Sequence, residues 1–159
     1  MLQHPLGEKI DQTFSAETSA ILDAVVGGVC GVDSEGHATF SIDALAKMTG
    51  YRVEEIVGQN VHELLHHSHP DGTRYPAEEC AFRKAVAARE AANIVGEVLW
   101  RKDGTCFPTD YWMRLVQWPS NRTRYVVTVK DITGIQRARE KFLHSDGTET
   151  PEFAPAWTS

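Results

Sequence analysis

Three histidines and one cysteine, His66, His67, His69 and Cys80, lie close together within residues 66–80. Imidazole and thiolate groups are ligands that zinc and iron accept. Their spacing matches no zinc finger, however, and Pro70 with the Asp-Gly pair after it predicts a polar, solvated loop. We therefore assign no metal site to this segment. A metal ion bound by the three histidines and the cysteine, and a loop whose charge changes near neutral pH, are the two alternatives.

The sequence contains no motif typical of an enzyme active site. G-x-S-x-G, H-E-x-x-H and Walker-type loops are absent from it. The acidic pairs at 54–55 and 78–79 are predicted in the first turns of helices, where the helix dipole favours negative charge. The sequence therefore predicts that this chain is not an enzyme.

Size, charge and cysteine content predict one domain that folds without disulfides. A chain of 159 residues with a net charge of −6 can bury a core of its own. Cys30, Cys80 and Cys106 form no C-x-x-C pair and are predicted to be free thiols. Basic residues are scattered except at 137–141, which argues against nucleic-acid binding. No apolar run approaches the ~20 residues of a membrane span, so we expect a cytoplasmic protein without membrane contact.

Alternating apolar residues and turn signals predict five strands. One pair of strands flanks a Ser-Glu-Gly turn and another pair flanks a Lys-Asp-Gly turn, and in each turn the glycine can adopt positive φ. Helical spacing and capping residues predict short helices between the second and third strands. The predicted strands are 29–33, 37–42, 93–101, 106–118 and 124–133, and the predicted helices are 43–49, 53–57, 61–66 and 77–90, with a loop at 67–76 and an amphipathic helix that enters the domain from residue 15.

The last predicted strand runs directly into a helix. Residues 126–133, VVTVKDIT, alternate with a two-residue period, and helical spacing follows immediately. Asp131 and Thr133 are residue types that cap helix N-termini, because a side-chain oxygen can accept hydrogen bonds from the first turn. We expect this junction at residues 131–133 to pass a change inside the domain to whatever follows the helix.

Four segments follow one another along the chain: ILDAVVGGVCGVDSEGHATF (21–40), MTGYRVEEIVGQN (48–60), LWRKDGTCFPTDY (99–111) and KDIT (130–133). In this order and spacing they resemble the PAS sensor domain family of the S-box type, over about residues 18–140. The segment HHSHPDGTRYPAEEC (66–80) is similar to an insertion in a subset of these domains.

The resemblance implies an α+β fold, the PAS fold. This is a five-stranded antiparallel sheet with short helices and one longer helix over one face, plus an N-terminal amphipathic helix. The implied divisions are an N-terminal extension at 1–17, the PAS domain at 18–134, the start of an output helix at 135–143 and a flexible tail at 144–159.

The resemblance also implies an internal pocket between sheet and helices, in which a cofactor or small metabolite would bind. Tyrosine and tryptophan side chains would each supply one hydrogen-bonding group in an otherwise apolar lining. The alternative is an ordinary core that the same side chains fill. The implied lining residues are Val32, Phe40, Met48, Tyr51, Ile56, Leu64, Phe82, Val86, Val98, Trp100, Tyr111, Met113, Val127 and Val129.

The sequence does not identify a cofactor. A flavin photoreceptor of this family needs a cysteine in a motif like GxNCRFLQ, but GQNVHELL places Val61 there. A haem sensor would carry its axial histidine on the long helix, and residues 77–90 contain none, although His62 or His66 could substitute. We therefore expect a colourless protein.

These features together predict a sensory domain that binds a small molecule or cofactor and signals through the junction at 131–133. The expected partners are a second copy of the chain and an effector, either in trans or in a longer chain. The homodimer is expected through the N-terminal helix and the outer sheet face, where Ile21, Leu22, Trp112 and Trp118 need cover. Two alternatives stay open: the input part of a sensor histidine kinase, cyclase or transcriptional regulator, and a dimerisation module without ligand.

Overall fold

The computed structural model describes residues 27–117 and 122–145 of the chain. The predicted N-terminal helix, the last strand residue Trp118 and most of the predicted tail lie outside these residues. The described elements are β1 (Gly28–Val32), β2 (Ala38–Ser41), α1 (Asp43–Thr49), α2 (Val53–Ile56), α3 (Val61–Leu65), α4 (Ala81–Ala88), β3 (Ala92–Trp100), β4 (Cys106–Leu115), β5 (Tyr125–Asp131) and α5 (Thr133–Ser145).

The five strands form one antiparallel sheet in the order β2-β1-β5-β4-β3. β1 pairs with β2 in one hairpin, and β3 pairs with β4 in a second one. β5 joins the two hairpins by pairing with β1 on one side and with β4 on the other. Helices α1 to α4 lie between β2 and β3 in the chain and pack on the inner face of the sheet. The predicted α+β fold with five antiparallel strands is confirmed.

Aspartate side chains hold both hairpin turns. Asp33 Oδ1 accepts hydrogen bonds from the backbone N–H groups of Glu35 (2.8 Å) and His37 (2.9 Å). Asp103 Oδ1 accepts from the N–H of Thr105 (2.9 Å) and from its hydroxyl (2.6 Å). An aspartate that binds the backbone two residues further on mimics a turn and therefore favours one at that place. Both predicted hairpin turns are confirmed.

The longest predicted helix begins later than expected. The prediction was 77–90, but α4 begins only after Cys80. The carbonyl of Pro76 accepts the N–H groups of Glu79 (3.0 Å) and Cys80 (3.2 Å), which closes a single turn, and the extended backbone at Cys80 separates this turn from α4. Cys80 itself is the N-cap residue with extended backbone (φ −66°, ψ 123°). The acidic pair at 78–79 therefore precedes α4, and the prediction that it lies in the first helical turn is wrong.

A β-bulge at Gly96 changes which side chains of β3 face inward. Ile94 pairs with Tyr111 and Glu97 with Thr109, so β3 uses one residue more than β4 between the two pairs. Gly96 occupies the extra position with φ of 75°, a conformation that residues with a Cβ rarely adopt. After the bulge the alternation is reversed, and Glu97 points into the domain.

Clusters of buried apolar side chains lie on both faces of the sheet. The main cluster lies between the sheet and helices α1 to α4. A smaller cluster of Val29, Phe40 and Ile42 lies on the outer face, since residues alternate across a strand. The ring of Phe40 covers Gly31 so closely that a Cβ there would lie 2.3 Å from the ring. Phe40 therefore belongs to the outer face and not to the predicted internal pocket.

Only Ile132 separates the last strand from the last helix. β5 ends at Asp131 and α5 begins at Thr133, whereas the prediction continued the strand to 133 and began the helix at 135. Asp131 Oδ1 accepts hydrogen bonds from the N–H (2.9 Å) and the hydroxyl (2.5 Å) of Thr133. The strand ends early because these bonds satisfy an N–H group that the first helical turn leaves without a partner.

Among the described helices, none is long and apolar enough to cross a membrane.

Candidate functional site

The short helix α3 directs two histidines into the core. His62 lies in α3 and His66 follows its last residue, so the four-residue spacing puts both on one helix face. Asn60 begins the helix by accepting a hydrogen bond from the N–H of Glu63 at 3.2 Å, as predicted. His62 and His66 are only 4% and 3% exposed. Buried histidines need polar partners, and the neighbouring elements provide them for three of the four ring nitrogens.

Cys80 brings a thiol to His66. Its position as the N-cap of α4 places Sγ 3.1 Å from His66 Nδ1, and the cysteine is completely buried. The extended backbone that delays α4 is thus the same feature that puts this thiol against the imidazole. Of the residues predicted as alternative metal ligands, the structure brings His66 and Cys80 together.

Glu97 binds the other side of the His66 ring. His66 Nε2 donates to Glu97 Oε2 at 2.6 Å. The hydroxyl of Tyr111 donates to the same oxygen at 3.0 Å, and the hydroxyl of Tyr75 donates to Oε1 at 3.2 Å. Three donors therefore converge on one half-buried carboxylate, and the β3 bulge is what aims it at them.

The pKa values in this network follow from burial and mutual pairing. Burial by itself lowers the pKa of His66, but hydrogen bonds to Cys80 and Glu97 outweigh it and raise that pKa to about 9. Burial opposes the charged form of Glu97 as well, yet the bond from His66 lowers its pKa. Burial and the nearby Glu97 charge raise the pKa of Tyr75 to about 12 and that of Tyr111 further. The network therefore favours a charged His66–Glu97 pair flanked by neutral tyrosines at neutral pH.

His62 differs from His66 because one of its ring nitrogens has no partner. Nε2 lies 3.1 Å from the carbonyl oxygen of Tyr75 and donates to it. Nδ1 is buried without a hydrogen bond. Burial, followed by the neighbouring His66, lowers the pKa of His62, so its ring is neutral at neutral pH. A carbonyl accepts only from an N–H, so Nδ1 carries the free lone pair.

The remaining two histidines of the sequence cluster lie elsewhere. The exposed His67 stacks on Trp100 with ring centroids 5.5 Å apart. His69 is partly exposed and packs against Tyr75 with ring centroids 4.3 Å apart. The Trp100 indole donates to the carbonyl of Ser68 at 2.8 Å. These contacts hold the loop against the edge of the sheet, and the alternative of a metal bound jointly by His66, His67, His69 and Cys80 is not supported by this placement.

A cavity of about 20 Å³ borders His66 in the middle of the core. This is room for one water molecule. The cavity is lined by Cys30, Leu45, Val61, Leu65, His66, Phe82, Leu99, Tyr111, Val127 and Val129. Its lining comes from the three central strands, from β3 and from the helices above, which is where the pocket was predicted.

The structure brings most of the predicted lining residues to this core. Phe82, Tyr111, Val127 and Val129 border the cavity. Val32, Ile56, Val86 and Met113 are buried in the main cluster around it, with Met48, Tyr51 and Leu64 packed against that cluster.

Three predicted lining residues lie outside the core. Phe40 belongs to the outer-face cluster. Val98 and Trp100 are only half buried, because the bulge at Gly96 turns Leu99 inward in their place. The prediction that Val98 and Trp100 face the pocket assumed an uninterrupted strand and is wrong for that reason. A glycine inside a strand pattern was the available signal for a bulge.

Comparison with known sequences identifies the family. The model for the PAS fold matches residues 16–132. The chain therefore belongs to the PAS family, and the predicted resemblance is confirmed. A comparison with curated proteins finds no match.

Solved structures with the same fold come from several kinds of protein. The PAS domain of an HTR-like protein from Haloarcula marismortui is 17% identical with a TM-score of 0.55, covering 73% of this chain and 93% of that one. The PAS domain of nitrogen regulation protein NR(II) from Vibrio parahaemolyticus is 16% identical with a TM-score of 0.54, covering 74% and 100%. A light-oxygen-voltage domain studied with a flavin analogue is 19% identical with a TM-score of 0.57, covering 82% and 96%. At such identities the likeness shows the fold alone.

Proposed function

We propose that this chain is a sensory signalling domain in which a change in the core is transmitted through β5 to α5. Membership of the PAS family supports a sensing role. The observation that carries the proposal is the position of β5: Val127 and Val129 border the cavity, and the same strand ends at Asp131, which binds the first turn of α5. A shift of this strand would move the start of the helix with it.

The signal that we propose is occupancy of the core by a small molecule. A space of about 20 Å³ admits a ligand the size of water without rearrangement. A larger ligand would need Phe82 and Leu65 to move away from the sheet, so its binding would be coupled to a conformational change. Val61, at the position that the photoactive cysteine of a flavin photoreceptor would occupy, also borders the cavity, and its side chain cannot form a flavin–thiol bond.

The relay can be tested at the junction with a matched control. Asp131→Ala removes two hydrogen bonds to Thr133, and Asp103→Ala removes the same pair of bonds to Thr105 in the β3–β4 turn. Losing a helix-terminal bond of this kind costs about 1 kcal/mol, which corresponds to roughly fivefold faster hydrogen exchange. We expect faster exchange at residues 134–143 in Asp131→Ala and unchanged exchange there in Asp103→Ala.

Two outcomes of this comparison would refute the relay. If Asp131→Ala leaves exchange at 134–143 at the wild-type rate, the junction does not control the helix and the relay is refuted. If both variants accelerate exchange at 134–143 equally, the effect is global destabilisation, and the relay is refuted as well.

We propose further that the domain works as a homodimer. Trp112 is half buried on the outer face of the sheet, and α5 exposes Ile135 (37%) and Leu143 (79%). Large apolar side chains of this kind are typical of contacts between subunits. The other residues on which the dimer was predicted, Ile21, Leu22 and Trp118, lie outside the described residues. Light scattering at micromolar concentration should give twice the chain mass, and a strict monomer would refute the dimer.

The second candidate function is a dimerisation module that binds no ligand. The water-sized cavity in the core of the described residues favours it, because a space of that size cannot hold a metabolite without rearrangement of the packed side chains. Native mass spectrometry separates the two functions, since a ligand adds mass to the dimer. In both cases we propose a cytoplasmic, non-enzymatic domain whose effector is either a separate protein or another part of a kinase, cyclase or transcriptional regulator.

A further inference from the structure

We propose that His62, His66 and Cys80 form a binding site for one divalent transition-metal ion of the zinc class. The three side chains come from α3 and from the N-cap of α4, and one ligand atom from each lies within 4.8 Å of the other two. All three residues are buried. This set differs from the four residues that the sequence suggested, because His62 replaces the surface histidines His67 and His69.

The spacing is close to what a tetrahedral ion needs. Ligands that are about 2.0–2.3 Å from a tetrahedral centre lie roughly 3.3–3.7 Å from one another. The distance of 3.1 Å between His66 Nδ1 and Cys80 Sγ already falls near this range. The ligand atom of His62 lies within 4.8 Å of the other two, so a shift of about 1 Å would bring it to the same distance.

In both histidines, the ring nitrogen that would not bind the metal already donates a hydrogen bond, as it does in metal-binding histidines. His66 Nε2 donates to Glu97, and His62 Nε2 donates to the carbonyl of Tyr75. Metal-binding histidines almost always donate their other N–H to a carboxylate or carbonyl, which fixes the tautomer and turns the lone pair towards the metal. In both rings the nitrogen left for a metal is therefore Nδ1.

The unpartnered Nδ1 of His62 is the independent observation that points to a ligand. This atom is buried without a hydrogen bond in a residue that is 4% exposed. A buried polar atom without a partner costs about 1–3 kcal/mol, so its position needs an explanation. A metal ion held between this lone pair, His66 and Cys80 would satisfy it.

Binding would replace protons with a metal ion. The ion would bind the lone pair of His66 Nδ1 and the thiolate of Cys80, whose two atoms lie 3.1 Å apart, and the protons that these groups carry would leave to solvent. Imidazole and thiolate together favour zinc over magnesium or calcium, which prefer oxygen ligands. Three protein ligands leave a fourth position for water or a small anion. The site stands independently of the proposed relay, and failure of one leaves the other untouched.

Cobalt(II) is a suitable probe because it occupies zinc sites and absorbs light, with intense thiolate charge-transfer bands where a cysteine binds it. We would strip the full chain with a chelator, titrate it with Co²⁺ and then displace the cobalt with Zn²⁺. We expect saturation at one ion per chain, tetrahedral cobalt bands and a thiolate band, all lost on addition of one equivalent of zinc. Failure of the wild-type protein to show the thiolate band overturns the proposal.

Matched variants assign the ligands. Cys80→Ser should abolish the thiolate band and His62→Gln should weaken Co²⁺ binding, whereas His67→Gln and Cys106→Ser should behave as wild type. Circular dichroism shows whether each variant is folded, and displacement of Co²⁺ from the wild-type chain needs no variant. A thiolate band that persists in Cys80→Ser or disappears in Cys106→Ser would place the ion elsewhere and overturn the assignment.

Glu97 would act as a positioning residue, because it holds the His66 ring without reaching the ion. Loss of such an outer partner weakens metal affinity by roughly 10- to 100-fold. Glu97→Gln should therefore bind Co²⁺ more weakly while keeping the thiolate band at saturation. Unchanged affinity in this variant would contradict the orientation of the His66 ring on which the site depends.

Discussion

Glu97 offers the sharpest test of the buried network, because three donors converge on its two oxygens. His66 Nε2 and the hydroxyl of Tyr111 bind Oε2, and the hydroxyl of Tyr75 binds Oε1. Glu97→Gln keeps the size of the side chain but replaces one acceptor oxygen with an NH₂ group that only donates. At least one of the three hydrogen bonds to this side chain must then be lost.

The expected loss follows from these contacts. A buried donor without a partner costs about 1–3 kcal/mol, and a hydrogen bond to a charged group contributes about 1.5–3 kcal/mol. The Glu97 side chain is 18% exposed, so water replaces a small part of the loss. We expect the free energy of unfolding to fall by about 2 kcal/mol in Glu97→Gln and by about 1.5 kcal/mol in Tyr111→Phe. Since the two side chains bind each other, the double variant should lose about 1 kcal/mol less than the sum.

Urea denaturation of the four proteins of this double-mutant cycle measures the coupling. A chelator is present throughout, so that metal occupancy does not vary among them. A loss of about 2 kcal/mol lowers the urea midpoint by roughly 1 M. Glu54→Gln, an exposed glutamate on α2, is the control and should change stability by less than about 0.5 kcal/mol. Glu97→Gln could instead keep the wild-type urea midpoint, and its effect on the free energy of unfolding could add to that of Tyr111→Phe. This result would show that Glu97 does not face these donors, and it would refute the inward orientation of its side chain after the bulge.

Four further results are expected. Asn60→Ala removes the cap of α3 and should lower the free energy of unfolding in urea by about 1 kcal/mol; no change would mean that the cap contributes nothing. Gly96→Ala should lose about 1–2 kcal/mol because the residue has φ of 75°, whereas Gly134→Ala, with no steric contact and ordinary φ, should not be destabilised; equal effects would contradict the bulge. Thiol labelling of the native protein should modify Cys106 before Cys30, which is buried and whose pKa burial raises to about 12; early labelling of Cys30 would contradict the packing. The visible spectrum of the purified protein should show no flavin or haem band, and either band would overturn the cofactor expectation.

Local sequence patterns predicted most of the fold. The Asp-containing turns at Asp33 and Asp103 are formed by side chains that bind their own backbone, so the two hairpins could be located from a few neighbouring residues. The short helices α1 to α3 were placed to within one residue for the same reason. The bond from Asp131 to the start of α5 was also predictable, because its partners lie two residues away.

The site depended on contacts between distant parts of the chain. The sequence identified His66 and Cys80 as candidates from their residue types, but it could not choose His62 over His67 and His69, because that choice depends on which face of α3 meets the sheet. Glu97 was missed because strict alternation put it on the outside, and only the pairing of β3 with β4 shows that the bulge at Gly96 reverses the alternation. Turns and caps form from neighbouring residues and are therefore determined by the sequence alone, whereas the burial of a polar cluster depends on how helices and strands pack, which only the tertiary structure decides.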